Sequence, residues 1–229
     1  MERPYRPLKE ESPFRRFARM TAYRLFHPFL WLAFVPLYGL KIANRRRLTD
    51  AGAAISVMNH CLYVEWFFIW HAARFRFVRF TAEQANMTRV DVGWFNWLMG
   101  VVGIPEDNPM AIAPAVARCL RNGELVHFFP EGVLKPRCRI PSDFMIGAAW
   151  FACRHGVPLV PIAESLEDRR LQKWLPWWPP KVRLTVLEPL DPSAFVEGAK
   201  NLRRAAEAMT RAAEGAIAEA VAARTPAAG

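Results

Sequence analysis

The sequence predicts an α/β fold: a mostly parallel central sheet flanked by helices, with an N-terminal helical membrane-anchoring segment. Three observations predict it. From Arg47 onward, short β-type apolar runs alternate with longer helical ones, an order that builds parallel sheets covered by helices. Two of those runs end on polar segments, Asn59-His60-Cys61-Leu62-Tyr63-Val64-Glu65 and Phe129-Pro130-Glu131-Gly132; open α/β sheets bind ligands at such strand ends. Before the alternation lies a stretch of different composition, basic and rich in Phe, Trp and Leu. The chain therefore divides into an anchor over 1–47 and an α/β domain over 48–229.

In the anchor, residues 1–47 hold eleven Lys/Arg against three Glu, so most of the net charge of +10 lies there. Within it runs an apolar segment, Leu25 to Leu40, carrying His27, Pro28 and Pro36. A membrane span needs about 20 apolar residues, and proline removes a helical hydrogen bond. The segment is read as a helix or helical hairpin lying in one leaflet; a tilted single span and packing against the domain are the alternatives. Two dozen residues rich in charge precede it and no small-residue cleavage site follows, which argues against a secretory signal. Lys and Arg beside an anionic leaflet contribute about 1 kcal/mol each, so charge and apolar surface together make a two-signal anchor on the cytoplasmic side of a membrane, monotopic or single-pass.

In the domain, Ala53 to Met58 reads as a buried strand and Glu65 to Arg74 as a helix with an aromatic face. Arg76 to Thr81 alternates basic and apolar residues, which suits a strand near an edge. Val92 to Gly100 reads as a short helix. Pro109 to Arg121 reads as another, with Pro109 in its first turn and Gly123 after its end. Leu125 to Phe129 is a strand, Pro141 to His155 a helix closed by Gly156, and Val157 to Ala163 and Lys181 to Leu187 are strands. Asp191 caps a helical region with Pro192 in first position. Ala199 to Arg224 is a packing helix, with Leu202, Ala206, Met209, Ala213, Ile217 and Ala220 along one stripe.

With 52% apolar and 23% charged residues, the chain can bury a substantial core. Cys61, Cys119, Cys138 and Cys153 are scattered without a Cys-x-x-Cys pair. That pattern argues against a disulfide framework or a zinc site and fits a reducing compartment. No metal is implied. Nucleic acid explains the charge poorly, because no recognition helix or aromatic-studded basic sheet motif is present.

The chemistry is sought at His60 and Glu65. On one continuous helix, five residues of spacing would turn them apart. With His60 in the turn after a strand and Glu65 opening the next helix, the carboxylate reaches back to Nδ1 and leaves Nε2 free as a base. Taken alone, the spacing favours a solvated loop histidine beside a helix N-terminal acid. About seventy residues later, Phe129-Pro130-Glu131-Gly132 brings a second acid to a strand end, on a backbone held open by glycine. No Gly-x-Ser-x-Gly elbow is present, and Cys61 is not assumed to be a nucleophile. Nothing in the sequence suggests covalent catalysis. His27, His71, His127 and His155 sit in apolar or helix-end contexts and are read as structural. Trp174-Leu175-Pro176-Trp177-Trp178-Pro179-Pro180 is read as a second membrane contact, with a stiff loop over the core or an acyl-chain gate as alternatives.

Over Ala53 to Ile162 the chain resembles the lysophospholipid acyltransferase superfamily, which includes bacterial 1-acylglycerol-3-phosphate O-acyltransferases. The family's His-x-x-x-x-acid motif matches His60 and Glu65, its third motif Phe129, Pro130, Glu131 and Gly132, and its fourth Val157-Pro158-Leu159-Val160-Pro161-Ile162. Its second motif falls near Gly103-Ile104-Pro105-Glu106-Asp107-Asn108. The resemblance implies that His60 deprotonates an acceptor hydroxyl, Glu65 orients His60, and Glu131 with Gly132 positions the acceptor. It implies an acyl-CoA or acyl carrier protein thioester as co-substrate with no bound cofactor. The implied partners are a lysophospholipid acceptor and an anionic membrane surface. Asn59, Phe129 and Pro130 join the expected substrate-binding set. Two departures stand out: Glu65 replaces the usual Asp, and Asn108 stands where an arginine usually grips the acceptor phosphate. Lys135, Arg137 and Arg139 are the candidates to take over that phosphate.

Overall fold

The computed structural model describes residues 13–74, 76–136, 141 and 143–224. In chain order the elements are α1 (Pro13–Tyr38), β1 (Lys41–Ala43), α2 (Arg46–Thr49), β2 (Ala54–Met58), α3 (Glu65–Ala72), β3 (Val78–Glu83), α4 (Gly93–Met99) and β4 (Val102–Ile104). They continue with α5 (Ala113–Arg121), β5 (Leu125–Phe128), α6 (Gly147–His155), β6 (Leu159–Glu167), β7 (Lys181–Val186), α7 (Ser193–Val196) and α8 (Leu202–Ala222).

The seven strands form one sheet in the order β1-β7-β6-β2-β5-β3-β4. Every pairing is parallel except β6 with β7. The mostly parallel α/β architecture expected from the alternation is therefore present. β2 lies at the centre, buried along its whole length between β5 and β6. This explains its mostly apolar character, broken only by Ser56, since a strand covered on both faces has no need to alternate. On one face, Ile55, Val57, Val126 and Phe128 pack with Val116 and Leu120 of α5, Phe151 of α6, and Met209, Ala213 and Ile217 of α8. On the other, Met58, Leu125, Val160 and Ile162 meet Phe67, Phe68 and Trp70 of α3 and Tyr23 of α1.

The basic and apolar strand β3 lies near an edge, as its alternation suggests, with β4 outside it. Its Arg79 points into the protein and is neutralised there. Nε donates to Glu124 Oε2 at 2.7 Å, both side chains being nearly inaccessible, and Arg16 of α1 stands 3.5 Å from the other Glu124 oxygen. Breaking such a buried pair from one side costs about 3–5 kcal/mol. Gly100, at φ +68°, makes room for the pair: a Cβ there would run into the guanidinium groups of Arg19 and Arg79.

The N-terminal segment is one continuous helix that starts well before Leu25 and is not a hairpin. Pro28 and Pro36 lie inside α1 without ending it. Its inner face is carried by α3: the Tyr23 and Trp70 rings meet edge to face at 4.2 Å, and Leu30, Phe34 and Val35 join the core. Its outer face leaves Phe14, Phe17, Leu25, Phe26, Phe29 and Leu32 exposed. Among the described residues no helix is long and apolar enough to cross a membrane. Toward the C-terminus, α6 begins at Gly147 and not near Pro141. α8 is capped by Asn201, whose Oδ1 accepts from Arg204 N at 3.0 Å.

The structural histidines set a pH dependence of stability. Burial pushes His127 down to about 3 and His71 down to about 4. His127 Nδ1 is held by Ser56 Oγ at 2.8 Å, and His71 Nδ1 meets His27 Nε2 at 3.1 Å. Both fold neutral, whereas the unfolded chain protonates them below their ordinary value of 6.5. Stability from these two is complete above that pH and is lost as pH falls toward 4. Buried Glu164, held protonated by burial and by Glu65, acts in the opposite sense from its ordinary 4.5 upward. Two protons oppose one below pH 6.5. Thermal unfolding at pH 7 and pH 5 should therefore give a lower Tm at pH 5; a higher Tm there would contradict these assignments.

Candidate active site

β2 and β5 are parallel neighbours, with Val57 opposite Phe128, so the segments that follow them leave the same end of the sheet side by side. Two contacts join the two segments, and a third closes the second one. Lys135 N donates to the His60 carbonyl at 3.0 Å, the Phe129 ring stacks on the His60 imidazole at 4.1 Å, and Met145 N closes the loop onto Pro130 O at 2.9 Å. Gly132 sits at φ +71°, and a Cβ there would strike Met145 Cε at 2.6 Å. The positive φ is what favours glycine at this turn, since the flexible end of Met145 could move aside.

Glu65 is the first residue of α3 and is fully buried. Its side chain turns back over the loop. Oε1 accepts from Cys61 N at 2.5 Å and from Leu62 N at 2.6 Å, while Oε2 takes the hydrogen bond from His60 Nδ1. The carboxylate thus satisfies loop amides ahead of the helix and fixes the imidazole. A proton on Nδ1 leaves Nε2 as the acceptor nitrogen, and the ring retains 21% exposure. A buried acid orienting a half-exposed imidazole is the arrangement of a general base.

Cys61 is not a second nucleophile. Its thiol is buried and takes an N–H from Asn59 at 3.3 Å. Burial, Glu164, Glu65 and Glu131 together push its pKa far up, so the thiolate is not accessible. The Glu131 carboxylate is half-buried and close enough to act on that thiol.

Within the described residues, the structure brings His60, Glu65, Phe129, Pro130, Glu131, Gly132 and Lys135 to one sheet end. Asn59, expected among the substrate-binding residues, is built into the sheet. Its amide is buried and bonded on both sides to the backbone of β6, donating to Glu164 O at 3.0 Å and accepting from Glu164 N at 2.8 Å. It fixes the strand end. Asn108 is exposed in the loop after the edge strand β4, separated from β2 by β3 and β5. Arg137 and Arg139 lie outside the described residues.

The sequence model of the family described as Acyltransferase matches residues 39–165, just over half of the chain, and this span contains both site segments. The chain belongs to the acyltransferase family. The fold of this acyltransferase is similar to that of the 1-acyl-sn-glycerophosphate (LPA) acyltransferase PlsC from Thermotoga maritima. The TM-score is 0.62 at 22% identity, covering 93% of this chain and 85% of that one. The curated proteins give no match. The acyltransferase has two site features that sequence reasoning missed. One is the Asn59 clamp, which a polar residue directly after a buried strand could have signalled. The other is Glu164, an acid within a strand that is otherwise buried.

Proposed function

We propose that the protein is a membrane-surface O-acyltransferase. It moves a fatty acyl group from an acyl-CoA or acyl carrier protein thioester to the hydroxyl of a lysophospholipid, 1-acylglycerol-3-phosphate first among them, giving phosphatidate. The observation that carries this reading is the hydrogen bond between His60 Nδ1 and Glu65 at a strand end shared with Phe129-Pro130-Glu131-Gly132. His60 Nε2 accepts the acceptor's hydroxyl proton as the oxygen attacks the thioester carbonyl. The carbon–sulfur bond then breaks, and the imidazolium returns its proton to the leaving thiolate. Glu65 stays in place to hold the charged ring.

The surface supports delivery of a lipid acceptor from the bilayer. β6 and β2 are parallel, so the segment after β6 leaves from the His60 end of the sheet, and it exposes Trp174 and Trp177. The end of α1 is tied to that segment, since Arg169 donates to Leu37 O at 2.6 Å. The exposed apolar face of α1 and the basic N-terminus would lie on an anionic leaflet.

Asn108 favours a second reading, in which the acceptor lacks a phosphomonoester. Labelled acyl transfer to lysophosphatidate and to lysophosphatidylcholine separates the two, with lysophosphatidate expected to be preferred. Hydrogen bonds to charged groups are worth about 1.5–3 kcal/mol. Arg137→Ala or Arg139→Ala should therefore raise the KM for lysophosphatidate about tenfold or more with kcat little changed. An unchanged KM in both variants rejects the phosphate assignment.

A further inference from the structure

We propose that Glu164 is a positioning residue of this site: a carboxylic acid on β6 that donates a hydrogen bond to Glu65 and so steadies the carboxylate that orients His60. This rests on the reading of His60 and Glu65 as the reacting pair.

The placement comes from the sheet. β6 is in register with β2 up to Met58 opposite Ile162. The Asn59 amide carries the pairing two residues further by holding the Glu164 backbone on both sides. This puts the Glu164 side chain beneath the His60 loop, where it is 1% exposed. Polar atoms of Cys61, Glu65 and Glu164 all lie within 4.8 Å of one another.

Two carboxyl groups in contact and shielded from water do not both ionise. The donors decide which one keeps the proton. Glu65 receives three N–H groups, from His60, Cys61 and Leu62, so both of its oxygens already act as acceptors. Among the described residues no N–H reaches either Glu164 oxygen, and the donor beside it is the weaker Cys61 thiol. The proton therefore belongs to Glu164, and the Glu65 carboxylate is its acceptor. Burial and the Glu65 charge hold it there, well above the usual carboxylate range. Among the described residues, the groups that act on Glu164 bring no positive charge to it. Around it are the Cys61 thiol on the same loop, the Tyr38 phenol at the end of α1, which burial and Glu164 push upward, and Glu131 beyond β5, which acts on Cys61.

The chemical consequence is that Glu65 is held by four hydrogen bonds from three directions of approach: the imidazole, the loop amides and β6. A glutamate that only filled space would not need its donor. A glutamine there keeps a donor of the same length, and an alanine removes it. Both variants leave the Asn59 bonds to the backbone of residue 164 intact, and thermal unfolding verifies that each folds.

The test compares wild type, Glu164→Gln and Glu164→Ala in acyl transfer. Glu164→Gln should stay within about threefold of wild-type kcat, and Glu164→Ala should lose about 10- to 100-fold in kcat with both KM values unchanged. Loss of the donor leaves the Glu65 charge undiluted, so the ascending limb of the kcat–pH profile should move to higher pH in Glu164→Ala but not in Glu164→Gln. Independently of turnover, the infrared spectrum of wild type at neutral pH should show the carbonyl stretch of a protonated carboxylic acid, absent from Glu164→Gln. Equal losses in the two variants, or a band that is missing from wild type or persists in Glu164→Gln, would overturn the proposal. Activity lost to a chelator and restored by zinc would overturn it too, assigning Cys61, Glu65 and Glu164 to a cation. Wild type without acyl transfer removes the enzymatic reading alone, and the infrared comparison still decides the carboxyl pair.

Discussion

Replacement of His60 by alanine is expected to lower kcat for acyl transfer about 10²- to 10⁴-fold, the usual contribution of a well-placed general base. The reason is local. Nε2 is the nitrogen left by the Glu65 bond, on a ring that stays partly exposed. Substrate binding should change little, because the Phe129-Pro130-Glu131-Gly132 turn is also held by Met145 N on Pro130 O and by its own Gly132 N to Phe129 O bond at 3.1 Å. Flotation with anionic vesicles should be the same for wild type and variant, since the exposed apolar face lies on α1. A protein that binds lipid without turnover would show no transfer before or after the change.

Glu65→Gln is expected to cost as much or more. Gln presents one acceptor oxygen where Glu65 uses two. With Oε1 kept on Cys61 N and Leu62 N, the amide N–H₂ must face His60 Nδ1. Two donors cannot face each other, so the imidazole shifts to the tautomer with its proton on Nε2, where it no longer serves as a base. In serine proteases the corresponding acid-to-amide change costs about 10⁴ in kcat. The same order is expected here, with KM nearly unaffected. Steady-state assays of Glu65→Gln beside His60→Ala measure it. A variant retaining more than about a tenth of wild-type kcat would mean that Glu65 serves the helix end and not the reaction.

The parts of the site legible in the sequence are those whose chemistry is local. His60 and Glu65 are joined by one turn, so their contact follows from a strand ending before His60 and a helix beginning at Glu65. The Phe129-Pro130-Glu131-Gly132 turn is legible because Pro and Gly punctuate the chain whatever surrounds them. The parts the sequence does not reveal depend on partners far away along the chain. The burial of Arg79 is not legible in β3 itself because Glu124, which neutralises it, is forty-five residues downstream. The clamp made by Asn59 is not legible because the Glu164 backbone it holds is 105 residues away. β1 and β4, at three residues each, are too short for periodicity to reveal. α1 ran through its prolines because α3 supports it from outside the segment.

The most direct test of the central claim is the tautomer of His60, read from the ring-nitrogen resonances of isotope-labelled histidine, with His60→Ala used to assign the signals. The expected spectrum at neutral pH has the proton on Nδ1 in a strong hydrogen bond and Nε2 unprotonated, and both features vanish in Glu65→Gln. A proton resident on Nε2 in the wild type, or a spectrum indifferent to Glu65, would contradict the assignment of His60 as the base.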